Sequence, residues 1–200
     1  MKKRKSVPSL SDPKLISCLR TDSKPFTEVL GEPRLEGQGG LSFPVGSLPF
    51  RHFTIGYELS KKFLGKIYLM TVEGILTGYA PLLPSVCLEL RYAGFIKKGE
   101  PFFTLRGYSK PKGPEGGIIS LLHSDQGLLE ECWKLEIEFL KILFEPLEGS
   151  CKIQVRPYGG SLLRINMPPL HYHVRLVPEQ AVLILSVMKR IAGIIKDFNR

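Results

Sequence analysis

The sequence predicts an α+β fold: an antiparallel sheet of about seven to eight strands, covered on one face by two amphipathic helices. Three observations carry this. Apolar residues alternate with polar ones at period two in several short runs. Two other runs, opened by Ser124-Asp125 and by Pro178, repeat at steps of three and four, and Gly- or Pro-rich segments separate the runs. A sheet with one apolar face must bury it, and the two helices are able to do so. A hydrophobic share of 43% over 200 residues is ample for a single core.

Residues 1–49 read as a basic, Pro/Gly/Ser-rich tail and irregular lead-in, with one short helical stretch from Asp12-Pro13 through Leu15, Ile16 and Leu19. Gly37, Gly39, Gly40, Pro44, Gly46 and Pro49 are poor material for regular structure, so the folded α+β domain is expected over 50–200. Phe53, Ile55, Tyr57 and Leu59 alternate with Thr54, Gly56, Glu58 and Ser60, and Lys66 to Glu73 follows as the second arm of a hairpin. Val86 to Tyr92 and Pro101 to Tyr108 are the next two strands, and Lys110 to Gly117 reads as a loop. Asp125 is a good N-cap for a helix through Leu128 and Cys132, with Glu130 and Glu131 near its start. Beyond it, Leu135, Ile137 and Phe139 fit a strand to Glu145. Leu128, Cys132, Leu135 and Phe139 fit one longer helix equally well; the shorter helix is preferred.

The last fifty residues hold the clearest pattern. Ile153 and Val155 define a strand, Pro157-Tyr158-Gly159-Gly160 supplies turn chemistry, and Leu163, Ile165 and Met167 continue beyond it, so a hairpin about the two glycines is expected. Met167-Pro168-Pro169 interrupts the ladder, because proline has no amide hydrogen, before a strand with Tyr172, Val174 and Leu176 on one side. From Pro178, Ile184, Met188, Ile191, Ile195 and Phe198 form one helix face. Four strands and a helix, repeated once, suggest two related halves.

The net charge is +9, of which Lys2, Lys3, Arg4 and Lys5 supply four units in the first five residues. That cluster predicts weak attraction to polyanions, an anionic membrane included, without specificity. It is not followed by an apolar segment, and the longest apolar run near the C-terminus is Ala181 to Leu185. No secretory signal and no transmembrane segment are therefore expected, and the location expected is cytoplasmic. Cys18, Cys87, Cys132 and Cys151 are widely separated with no CxxC, as reduced and mostly buried thiols would be.

No spacing for nucleotide, metal or acyl chemistry is present, so no cofactor or metal is expected. Arg156-Pro157-Tyr158-Gly159-Gly160-Ser161 sets a glycine turn beside a cation, and consecutive amides of such a turn can cradle an anion. Arg156, Tyr158, Gly159, Gly160 and Ser161 are accordingly the candidate ligand-binding residues, with a plain hairpin turn as the simpler reading. His171 and His173 leave one face of a strand, the spacing at which two imidazoles can share a metal, but no third ligand is identifiable. Glu136 and Glu138 read as the exposed side of their strand.

The segments Gln154-Val155-Arg156-Pro157-Tyr158-Gly159-Gly160-Ser161, Met167-Pro168-Pro169 and Val174-Arg175-Leu176 resemble an uncharacterised family of small bacterial proteins of unknown function, over residues 50–196. The resemblance implies a bacterial cytosolic protein and carries over no catalytic or binding residue. Three functions follow from the sequence. The first is a non-catalytic binding or adaptor domain, whose helix–sheet groove receives a small apolar ligand or a partner segment, with Ile184, Met188 and Ile191 as core or lining residues. The second is a polyanion binder using the tail and the hairpin cations Lys97, Lys98 and Arg106. The third is an enzyme with a scattered site near His171 and His173. A homodimer through the edge strand Phe102 to Tyr108 is also an expectation.

Overall fold

The computed structural model describes residues 13–37, 40–46, 48–62, 65–77, 85–94, 98–107, 115–166 and 169–199. Among them four helices, α1 (Pro13–Leu30), α2 (Glu115–Ser124), α3 (Gln126–Lys134) and α4 (Pro178–Phe198), accompany ten strands of one antiparallel sheet. The strands are β1 (Arg34–Glu36), β2 (Gly40–Ser42), β3 (His52–Lys62), β4 (Gly65–Thr77), β5 (Val86–Tyr92), β6 (Pro101–Leu105), β7 (Ile137–Glu145), β8 (Ser150–Pro157), β9 (Ser161–Asn166) and β10 (Pro169–Val174). The class is the α+β expected; strands and helices are more numerous. Six strands precede α2 and α3 and four follow them, so the repeated order that suggested two related halves is not the order observed.

Period-two alternation sets the sheet. Phe53, Ile55 and Tyr57 of β3, Met70, Val72 and Leu76 of β4, Leu140, Ile142 and Phe144 of β7, and Cys151, Ile153 and Val155 of β8 are all buried. The residues between them take the opposite face. Helix α4 turns Ala181, Ile184, Leu185, Met188, Ile191 and Ile195 inward, and α1, α2 and α3 all contact it. It meets the sheet at Gly74, where a Cβ would lie 3.1 Å from the Met188 methyl carbon.

Within the region expected as an irregular lead-in, the described residues include α1, β1 and β2. Helix α1 presents Leu15, Leu19, Phe26 and Leu30 to the same core as β3, and Phe26 lies 6.2 Å from Phe53, ring to ring. Pro25 sits inside this helix and hid its second half, since proline removes the bond to residue 21 and usually ends a helix. The loop expected up to Gly117 likewise gives way to α2 at Glu115. Its two glycines lower helix propensity, but Gly117 leaves room for the Phe198 ring of α4, 3.1 Å from where a Cβ would stand. Ser124 closes α2, and Asp125 caps α3 by accepting the Leu128 amide at 3.0 Å. Residues 137–145 are a strand, which settles the alternative of one long helix.

The hairpin expected at Gly159-Gly160 is not formed, and the chain does not reverse there. Strand β8 pairs with the second half of β4, Ser150 opposite Thr77 and Val155 opposite Val72. Strand β9 then continues along the first half of the same β4, Leu162 opposite Tyr68 and Ile165 opposite Gly65. Residues 156–161 therefore bulge out of one long strand opposite residues 69–71. On the far side of that strand β7 gives way to β10, and the bulge binds both: the Tyr158 amide donates to the Glu136 carbonyl at 3.0 Å and the Gly160 amide to Val174 at 2.6 Å. The actual reversal is the β9–β10 hairpin, Asn166 opposite Pro169.

Gly160 has φ +76°, and a Cβ there would run into the Met70 sulfur of β4. Gly160→Ala is expected to destabilise the protein by about 2–4 kcal/mol, from left-handed backbone strain and overpacking together. Gly107→Ala, with φ +86° and open space around it, should lose only the backbone part, about 1–2 kcal/mol. Urea titration of the two variants checks the difference.

Candidate functional site

On the sheet face turned away from the buried positions, one cross-strand row reads Thr54, Glu73, Gln154, Lys141, Glu89, Thr104, over six adjacent strands. Glu73 accepts from the Gln154 amide at 2.6 Å and pairs with Lys152 at 3.5 Å. Glu89 pairs with Arg106 at 3.1 Å and Arg91 at 3.3 Å. Both carboxylates of the row thus have other partners, and Lys141 between them has no ion pair among the described residues. Burial, then the Arg106 charge, holds its pKa below the usual lysine range, with Glu89 acting the other way. Its ammonium lies 3.8 Å from the centre of the Phe139 ring.

The same ring carries a second cation. The Arg156 guanidinium carbon is 4.5 Å from the Phe139 centroid, and Arg156 is only 4% exposed. It is ion-paired to Glu58 of β3 and, at 3.5 Å, to Glu138 of β7, while its buried Nε has no hydrogen-bond partner. The side chain can reach both strands because the bulge begins at its own position. Further along this face the surface dips into a depression of about 320 Å³ lined by Arg51, His52, Glu145, Glu148, Ser150 and Lys152.

Of the five residues that the sequence marks for ligand binding, Arg156 is the one whose side chain joins this strip. The amides of Tyr158 and Gly160 are engaged by backbone carbonyls, and the Tyr158 side chain is exposed. Gly159 lets the chain after β10 pass close by: a Cβ there would be 2.9 Å from the Arg175 oxygen and from the Leu176 Cα. Ser161 faces Val174 across the β9–β10 pair. Sequence reading missed Lys141 and set Phe139 on the apolar side with Leu135 and Ile137; the irregularity between Ile137 and Phe139 turns Phe139 and Lys141 to the other face, away from the buried Ile137 and Leu140.

The two histidines are not brought to one site. The His173 Nε2 lies 2.7 Å from the Asp22 carboxylate of α1, which is 1% exposed. Asp22 also receives the Tyr57 hydroxyl and the Leu176 amide, each at 3.4 Å. Burial, then the carboxylate, pushes the Tyr57 pKa far above its ordinary value. His171 stays exposed, opposite Arg164. Among the described residues no three of His, Cys, Asp and Glu are placed to share a metal ion.

The hairpin cations expected to meet nucleic acid have internal roles. The Lys98 ammonium donates to the carbonyls of Trp133 and Leu135 at 2.5 and 2.6 Å, capping the end of α3, and Arg106 is tied to Glu89. Lys97 lies outside the described residues, as do Lys2, Lys3, Arg4 and Lys5. The edge strand expected to pair with a second copy ends at Leu105, and its Phe103 amide is occupied by the His123 Nε2 at 2.8 Å. Ile184, Met188 and Ile191 are fully buried, so they belong to the core. No described helix is long and apolar enough to cross a membrane.

Comparison with curated proteins and with solved structures returns no match. A family model does match, over residues 25–195, from within α1 almost to the end of α4 and so over all ten strands. With most of the chain and the whole sheet inside that match, the chain belongs to the family described as protein of unknown function DUF3156.

Proposed function

We propose that this is a non-catalytic binding domain, working in the cytosol, whose ligand site is the charged strip around Phe139, Lys141 and Arg156. The ligand class is a small molecule bearing a carboxylate or phosphate. One observation carries the reading: two cations share one aromatic ring, and Lys141 has no ion pair among the described residues, the Glu89 opposite it being paired to Arg106 and Arg91. A half-buried ammonium without a counter-ion is held at a loss to the fold, which an anionic ligand would offset. Arg156, fixed by Glu58 and Glu138, positions the ring and keeps one donor, Nε, unmet. The bulge at Gly159-Gly160 supports the site from behind by setting where Arg156 leaves the strand. The helix–sheet groove is a weaker place for a ligand, because its α4 residues are already packed. Cys132, whose thiol is pushed up to about 12 chiefly by burial, behaves as a core hydrophobe, which accords with a reducing compartment.

Isothermal titration with inorganic phosphate and with succinate tests this. Wild type is expected to bind one of them, and Lys141→Met to weaken that binding about tenfold or more, since a hydrogen bond to a charged group contributes about 1.5–3 kcal/mol. The variant should melt no lower than wild type, because removing Lys141 strands no carboxylate. Absence of binding to either anion, or equal affinity in Lys141→Met, would overturn the proposal.

A further inference from the structure

The depression of about 320 Å³ at the end of the outer sheet face is lined by charges of both signs. Its floor is one register row, His52 opposite Ile75 and Ile75 opposite Lys152, across β3, β4 and β8. The next row, Thr77 opposite Ser150 and Ser150 opposite Glu145, closes one side. Directly paired residues share a face, and strands lie about 4.8 Å apart, so β3 and β8 stand about 10 Å from each other across the cavity. That is room for a small molecule.

Among the described residues five ionisable side chains line the depression, and three are engaged. His52 pairs with Glu36 at 3.0 Å, Lys152 pairs with Glu73 at 3.5 Å, and Glu145 accepts from the Ser150 hydroxyl at 3.5 Å. Arg51 and Glu148 are left, one cation and one carboxylate, with no ion pair between them or to any other described residue. Opposite charges in so small a space ordinarily close on each other, and here the backbone holds them apart. The Arg51 amide donates to the Ile75 carbonyl at 2.8 Å, which fixes Arg51 at the start of β3. Glu148 ends a single 3-10 turn, Pro146–Glu148, between β7 and β8. Pro146 opens that turn, and Gly149, at φ +56°, closes it by donating to the Pro146 carbonyl at 3.2 Å. With β4 between β3 and β8, the two charges face the cavity from opposite sides, and Ile75 of β4, its one large apolar lining residue, lies between them.

We infer that this depression binds a free α-amino acid with an aliphatic side chain, its carboxylate on Arg51, its ammonium on Glu148 and its side chain over Ile75. A ligand with one charge satisfies one side of the cavity, whereas a zwitterion satisfies both. The planar guanidinium matches a carboxylate in geometry, and Glu145 beside Glu148 supplies further acceptors for the three ammonium hydrogens. Neither Arg51 nor Glu148 belongs to the strip of Phe139, Lys141 and Arg156, so the assignment does not depend on that strip.

Isothermal titration of the full chain with L-leucine tests the assignment. The controls are 4-methylpentanoate, which lacks the ammonium, and L-leucinamide, which lacks the carboxylate. Leucine is expected to bind, and each control to bind at least about tenfold more weakly, since each forfeits a hydrogen bond to a charged group. Arg51→Met and Glu148→Gln should each weaken leucine binding about tenfold, with Glu148→Gln leaving 4-methylpentanoate as it was. Both variants should melt with wild type, because neither residue has a side-chain partner to strand, and Lys141→Met should leave leucine binding unchanged. Three results would each overturn the assignment: no binding of leucine, 4-methylpentanoate bound as tightly as leucine, or a leucine affinity unmoved by Arg51→Met or by Glu148→Gln.

Discussion

Met188→Asp is expected to unfold the protein. Met188 is fully buried at the middle of α4, against Gly74 of β4. Burying an unpaired charge there should remove at least about 4 kcal/mol, a large part of the stability of an ordinary domain. Val182→Asp, on the same helix but 54% exposed, should stay within about 0.5 kcal/mol of wild type. The pair separates a packed helix from a helix lining a groove. A Met188→Asp protein that melted like wild type would mean that this face of α4 opens to a ligand, and the site proposed on Phe139 and Lys141 would lose its advantage over the helix–sheet groove. Circular dichroism melts of the two variants give the answer.

What the sequence could and could not disclose divides along a physical line. Alternation over Phe53 to Leu59 and over Ile153 to Val155, and the three-and-four step of Ile184, Met188 and Ile191, are local signals, and each became the element they describe. The Asp125 cap was equally local. Strand pairing is not local. Pro157-Tyr158-Gly159-Gly160 has the chemistry of a hairpin turn, yet the same glycines serve a bulge, because what decides is how much of β4 lies alongside: thirteen residues, long enough to seat β8 and β9 end to end. The second half of α1 was hidden by Pro25 and α2 by Gly116-Gly117, where packing onto α4 overrides propensity. The candidate sites were least legible. Lys141, Arg156 and Glu58 come from strands β7, β8 and β3, and only the pairing of those strands with β4 between them brings the three together.

Removal of the His173 imidazole should have the second largest effect, and it follows from a contact across 151 residues. Asp22 is a carboxylate 1% exposed inside α1, and its burial is tolerated there because His173, the Tyr57 hydroxyl and the Leu176 amide surround it. His173→Ala leaves two of those partners, and the imidazole is itself 22% exposed, so the loss belongs at the lower end of the range for breaking a buried pair, about 3–4 kcal/mol. The sign of the next step is the informative part. Asp22→Leu added to His173→Ala removes the stranded charge and should restore a good part of the stability, whereas two independent losses would add. Urea midpoints of the two single variants and the double variant close the cycle. Additive losses would mean that Asp22 and His173 act separately. A recovery would make their pair the tie that holds α1, and with it the chain's N-terminal segment, against the β9–β10 hairpin.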